Sequence, residues 1–157
     1  DYQHLLFNKI IENQKIAIVK GRQIGFTTSI AAFCLWAAWY NMYPSSKDKI
    51  TQICVISKDD DAAKALLQQV KDFMYMGDRH MAGLLKGKHE HTGSYFSQHI
   101  KVNNVDQLKF INGCKIFSFP PTTKVRGTSN SILFIDEFAF INNTNPEKFF
   151  YTDALIS

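Results

Sequence analysis

Cysteine is scarce in this chain: Cys34, Cys54 and Cys114 are the only three in 157 residues, far apart and each set in apolar sequence. That excludes a disulfide framework and reads as buried thiols in a reducing compartment. Proline and glycine number 4 and 8, too few for a fibrous or low-complexity chain. A membrane-spanning run is also lacking, since the apolar stretch from Ile30 to Tyr43 contains Asn41 and is too short to cross a bilayer. A soluble protein with no membrane partner is expected. No charged-then-apolar leader opens the chain, and Asp1 is not an initiator methionine, which points to a processed or trimmed start. Charge of one sign is not concentrated either. The net charge is +4 with a pI near 8.9, and Lys47, Lys49, Lys58, Lys64, Lys71, Lys86, Lys88, Lys101 and Lys109 are scattered without a dense run. They read as a solvated face rather than a dedicated DNA track.

What is present is one globular domain's worth of sequence, 45% hydrophobic and 20% charged. Tyr2 to Ile11 has helical spacing, and Ile16-Ala17-Ile18-Val19 is a continuous β-rich run that predicts a strand covered on both faces. A turn from Gly21 to Gly25 leads into a helix over Thr27 to Tyr40. The order repeats: Thr51 to Ile56 predicts a strand, Ser57 or one of Asp59 to Asp61 a cap, and Ala62 to Tyr75 a helix with Leu66, Leu67, Val70, Phe73 and Met74 at helical spacing. Residues 77 to 105 are polar and aperiodic, and loops are expected there, with a short helix or edge strand at most. Leu108 to Ile111, Asn112-Gly113 and Lys115 to Phe119 predict a hairpin on a tight turn with positive φ angles. Ile132 to Ile135 predicts a buried strand ending at Asp136-Glu137, and Pro146 to Ile156 one more helix. Successive β-turn-α units predict a layered α/β fold.

Two segments carry candidate chemistry. Lys20-Gly21-Arg22-Gln23-Ile24-Gly25-Phe26-Thr27-Thr28 joins the first predicted strand to a helix, where backbone N–H groups cradle an anion. Against the pattern G-x-x-x-x-G-K-[ST], Gly25 and Thr27 match, whereas Lys20 stands at the first glycine and Phe26 at the lysine. A strict match fails, and alone the loop is compatible with a structural turn. Lys20 and Arg22 are the two candidates for the cation that phosphate chemistry requires, and Thr27, with Thr28 as the alternative, supplies a hydroxyl for Mg²⁺. The second segment is Asp136-Glu137, where an aspartate can hold the metal's water shell and a glutamate orient or deprotonate the attacking water. An ordinary solvated strand end reads the same way. Together the two segments place ligand-binding groups at the carboxyl ends of predicted parallel strands.

These segments resemble the ATPase domain of the large terminase subunit of tailed phages. The phosphate loop of that family often reads Arg-Gln-x-Gly-x-Thr, matched by Arg22-Gln23-Ile24-Gly25-Phe26-Thr27, and Lys20 with Phe26 resembles a variant with the lysine moved to the start of the loop. Tyr2-Gln3 resembles an adenine-reading glutamine motif. Lys124-Val125-Arg126-Gly127 followed by Ser131 to Glu137 resembles the arginine-glycine segment and acidic strand end. The resemblance implies a P-loop NTPase, α/β with a mostly parallel sheet flanked by helices, incomplete at its C-terminal end. It implies ATP and Mg²⁺ as cofactors, with Gln3, Gly21, Arg22, Gln23, Gly25, Phe26, Thr27 and Thr28 around the nucleotide and Thr27 and Asp136 at the metal. Glu137, Lys20, Arg22 and Arg126 are the implied catalytic groups, Arg126 as a finger acting on a neighbouring subunit. The implied partners are double-stranded DNA, the portal protein, the small terminase subunit and further copies in a ring, at the procapsid portal in the host cytoplasm.

The chain ends at Ser157, before the family's coupling motif and nuclease domain, so residues 1–157 are expected to form a partial ATPase domain without nuclease chemistry. Plainer roles exist for several residues: Gln3 at a helix end, Arg126 on the surface or paired with Asp136 or Glu137, His80, His89, His91 and His99 as polar loop residues rather than a metal cluster, and Trp36 and Trp39 as packing on one helix face. The competing functions are a helicase-like DNA-stimulated ATPase and a non-catalytic nucleotide-binding assembly module, the latter favoured by the missing lysine at Phe26.

Overall fold

A computed structural model describes residues 2–13, 15–18, 25–84, 95–120 and 130–137 of the chain. The first helix, α1, is Tyr2–Glu12, and the second, α2, is Phe26–Trp39. Because α2 buries Phe26, Ile30, Ala31, Phe33, Cys34, Ala37 and Ala38, it is a core helix, and its alanines let neighbours approach closely. It ends through local chemistry. Asn41 takes the left-handed conformation at φ 51°, Met42 N–H donates to the Ala37 carbonyl at 3.0 Å, and Asn41 N–H to Ala38 at 3.4 Å, which is a Schellman termination with asparagine in the glycine position.

Strand β1, Gln52–Ile56, is buried along its whole length and leads into α3, Asp60–Leu84. Asp59 caps α3 by accepting Ala62 N–H at 2.8 Å, and Asp60 and Asp61 place negative charge in its first turn. The buried residues Ala63, Leu66, Leu67, Val70 and Met74 give α3 one apolar stripe. The helix runs nine residues past the expected end at Tyr75, through sequence expected to be loop. Tertiary contact explains the extension. A side chain at Gly77 would come within 2.6 Å of the Phe96 ring, so glycine admits that ring against the helix. Asp78, buried next to it, accepts the backbone N–H groups of Phe96 and Ser97 and the Ser97 hydroxyl. Residues 95–99 are thereby docked on α3, and their short 3-10 turn, Ser97–His99, feeds β2, Ile100–Asn103.

Strands β3, Gln107–Phe110, and β4, Lys115–Phe119, form the expected hairpin. Its turn differs from the expected one in that only Gly113 has positive φ, at 91°, at the end of a turn closed by Gly113 N–H to Phe110 O at 3.0 Å. Asn112 has another task. Its Nδ2 donates to the carbonyls of Ala38 and Trp39 at 3.0 and 3.1 Å, and its Oδ1 accepts Cys114 N–H at 3.0 Å, so the hairpin turn caps the end of α2.

The last strand among the described residues, β5, is Ile132–Ile135. The sheet order is β2-β3-β4-β1-β5, with β1 parallel to β4 and β5, and β2, β3 and β4 antiparallel. The expected mostly parallel sheet is therefore a mixed one, because the short turn between β3 and β4 permits only antiparallel pairing. Side chains of all three helices join Ile53, Val55, Leu108, Phe110 and Ile116 in one core, while Cys54 and Ile56 pack with Phe119, Leu133 and Ile135 on the other face. All three cysteines are free and buried. No helix among the described residues is long and apolar enough to cross a membrane.

The apolar run at 15–18 is not a strand. Ile16 and Ile18 are exposed, and no described strand pairs with this segment. Strand propensity is realised only when a neighbour supplies hydrogen bonds and a buried surface. Val19, Lys20, Gly21, Arg22, Gln23, Ile24, His89, His91, Lys124, Val125, Arg126, Gly127 and the helix expected from Pro146 to Ile156 lie outside the described residues.

Candidate active site

Two parallel strands ending side by side create the site. Ile56 of β1 is in register with Ile135 of β5, and Asp136 N–H donates to the Ile56 carbonyl at 2.9 Å, so Asp136 and Glu137 follow the sheet to its carboxyl edge. Asp136 is 8% exposed. A carboxylate so sheltered needs partners. Its Oδ2 accepts the Thr27 hydroxyl at 3.2 Å and its Oδ1 accepts Glu137 N–H at 2.9 Å. The first of these bonds joins residues 109 positions apart and brings the start of α2 against the end of β5.

The approach of α2 is fixed by Phe26. This residue, standing where the common phosphate-loop pattern has lysine, is buried, with its ring 6.0 Å from that of Phe134 on β5. Its side chain packs the helix start onto the sheet. Before it, Gly25 adopts φ 71°, and its carbonyl accepts Ser29 N–H at 3.0 Å and the Ser29 hydroxyl at 3.1 Å. The N-cap residue, Gly25, makes no side-chain cap bond to α2, and Thr27 of the helix's first turn reaches Asp136 at the strand end. Thr28 is exposed on the first turn, and Gln3 is exposed on α1.

Glu137 adopts φ 51°, a left-handed conformation rare for a residue with a side chain. Its carboxylate meets Lys58 Nζ at 3.1 Å. Lys58 was not singled out in the sequence. The signal was there, because Lys58 stands two residues beyond Ile56, as Glu137 stands two beyond Ile135, so register places them level. Both side chains are partly exposed, 42% and 38%, so the pair orients Glu137 more than it stabilises the fold. The alternative in which Glu137 pairs with Arg126 falls on a residue outside the described set.

The structure thus gathers Gly25, Phe26, Thr27, Asp136 and Glu137 at one sheet edge and adds Lys58. A hydroxyl and a carboxylate in contact are hard oxygen donors suited to a hydrated Mg²⁺, and a helix start is suited to phosphate. Among the described residues no group of three or more His, Cys, Asp or Glu side chains forms a separate metal site. His99 instead packs its ring against Trp39, 5.1 Å between centroids, with Nδ1 2.8 Å from the Tyr95 carbonyl.

The chain is a mixed α/β domain in which a helix start and an acidic strand end meet at one edge of the sheet, the edge where α/β domains commonly take their ligands. Residues 17–148 match the family described as "Terminase large subunit, T4likevirus-type, N-terminal", and the chain belongs to that family. ATPase function is consistent with this membership, and ATPase activity is expected of it. No curated protein matches the chain.

Proposed function

We propose that this chain is a P-loop packaging ATPase, hydrolysing ATP to drive double-stranded DNA into a viral procapsid, and that its chemistry takes place at the carboxyl ends of β1 and β5. The observation that carries the reading is the Thr27–Asp136 hydrogen bond, which couples the start of α2 to the acidic strand end. In this reading the backbone of Gly21 to Thr28 cradles the triphosphate, Lys20 or Arg22 offsets its charge, and Gln3 reads the base. Thr27 and Asp136 hold Mg²⁺, which supplies charge neutralisation at the phosphates. Glu137 orients the attacking water and accepts its proton, a task that a partly exposed carboxylate at a strand end can perform. Arg126 completes a neighbouring subunit's site in a ring at the portal, with the small terminase subunit as a partner, in the host cytoplasm.

The deciding experiment is Glu137→Gln in the full-length protein. The amide keeps size and polarity but cannot accept a proton, so Mg²⁺-ATP affinity should persist while single-turnover hydrolysis falls on the order of 10²–10⁴-fold. Asp136→Asn should instead raise the magnesium requirement. Normal turnover by Glu137→Gln would remove Glu137 from the chemical step.

A further inference from the structure

Lysines that are scattered in the sequence are brought together by the sheet. Cys54 and Ile56 mark the face of β1 away from the helices, and register carries that face across the neighbouring strands. Lys115 lies opposite Gln52, Lys109 lies directly opposite Lys115, and Val102 lies opposite Lys109. One pleat further, Phe117 stands between Cys54 and Gln107, its ring stacked on Phe119 at 5.7 Å. The exposed Lys101 sits next to this strip, where the β2–β3 register shifts.

The placement has a cost. Like charges directly opposed on adjacent strands repel, with β-carbons only about 5 Å apart. Lys109 and Lys115 are both half-buried, and among the described residues neither enters an ion pair. Of the nearby acids, Asp48 lies at the end of the strip, where it accepts from Gln52 Nε2 at 2.9 Å, and the charge of Asp106 acts on Lys64 and Lys71 of α3. No position in register on this strip holds a carboxylate. An anion with closely spaced charges would turn the repulsion into attraction.

We propose that the strip formed by Lys109 and Lys115, flanked by Lys101 and Phe117, is a contact surface for the phosphate backbone of duplex DNA. The choice of DNA rests on the packaging reading above; the charge arrangement does not. Lysine ammonium groups are point charges that bind phosphate without reading sequence, and the apolar Phe117 ring beside them strengthens the attraction by excluding water. Lys115 pairs with the first residue of β1 and the candidate nucleotide site adjoins its last, roughly 13 Å away at about 3.3 Å per residue, so the two sites lie at opposite ends of one strand.

The test is equilibrium binding of a labelled blunt duplex to the full-length protein, by fluorescence anisotropy, across about 50–200 mM salt. The double variant Lys109→Gln/Lys115→Gln should bind more weakly to unrelated sequences alike. Its slope of log K against log salt should be shallower by roughly 2, about 0.9 for each phosphate that is no longer neutralised. Its Tm should equal or exceed that of the parent, since the repulsion is relieved, and Lys109→Arg/Lys115→Arg should retain the parental slope. Lys9→Gln, on α1 beside Glu12, is the control. A parental slope in the glutamine variant overturns the proposal, as does an equal weakening in the arginine variant. ATP turnover without DNA, measured on the same preparations, separates the two readings: turnover with an unchanged slope removes only the DNA surface, and a shallower slope in a protein without turnover removes only the motor.

Discussion

Glu137 shows how a single residue's surroundings set its role. The left-handed backbone at φ 51° turns it away from the strand direction, and Lys58 holds its carboxylate at the sheet edge, while Asp136 one position earlier is sheltered and committed to Thr27. Neighbouring carboxylates thus have different partners, which is the basis for assigning them different tasks. The cation is a matter for the same scale. Lys20 is the only lysine in the proposed phosphate loop, so Lys20→Ala should weaken ATP binding or turnover far more than Lys47→Ala, as nucleotide titration with turnover will show. Equal behaviour would transfer the role to Arg22. The buried thiols make a further residue-level prediction. Burial pushes Cys34 and Cys54 from 9.0 up to about 12. A folded value above the unfolded one contributes stability that is intact below about pH 9 and is lost as pH rises through about 12. The urea midpoint should therefore fall between those limits, and fall less in Cys34→Ala/Cys54→Ala. An identical alkaline decline in that variant would assign the lability to other groups.

Among the elements, α2 links the two ends of the sheet. Its start contributes Thr27 to the candidate site, and its end is held by the Schellman turn at Asn41 and by Asn112 from the β3–β4 hairpin. Asn41 reinforces this joint, because its Oδ1 accepts Thr51 N–H at 2.7 Å and ties the helix exit to the entry of β1. Removal of the Asn112 amide leaves helix-end carbonyls and the Cys114 N–H with fewer partners. Asn112→Ala should cost about 1–3 kcal/mol in urea unfolding, and Asn112→Asp, which keeps the acceptor but sets a carboxylate oxygen against the helix-end carbonyls, should cost at least as much. Parental stability in the aspartate variant would show that the bonds to α2 contribute little. The long α3 depends on a different device, the seat that Gly77 and Asp78 make for Phe96 and Ser97.

For the whole molecule, the sheet divides labour along its strands: the carboxyl ends of β1 and β5 hold the candidate chemistry, and the antiparallel extension of β2, β3 and β4 carries the basic strip. Assembly is the remaining question at this scale. If Arg126 acts on a neighbour, Arg126→Ala should leave nucleotide binding by an isolated subunit intact and lower hydrolysis in the ring, since a finger acts mainly in the transition state. Mixing Arg126→Ala subunits with Glu137→Gln subunits should restore part of the activity. Absence of any recovery, with binding and assembly normal, would count against action in trans.

Short-range rules were enough to locate much of this protein from its sequence. Helical spacing identified α1 and the first half of α3, helix-forming residues after a glycine turn identified α2, continuous apolar runs identified β1 and β5, and Asn112-Gly113 identified the hairpin, because each depends on backbone preference or periodicity within a few residues. Thr27, Asp136 and Glu137 were legible as candidates for the same reason, standing at a helix start and a strand end. Tertiary structure decided the rest. The exposure of Ile16 and Ile18, the extension of α3 beneath Phe96, the capping of α2 by Asn112, the Lys58–Glu137 pair and the opposition of Lys109 to Lys115 all depend on partners distant in sequence. Strand register and side-chain docking create those contacts, and no local pattern encodes them.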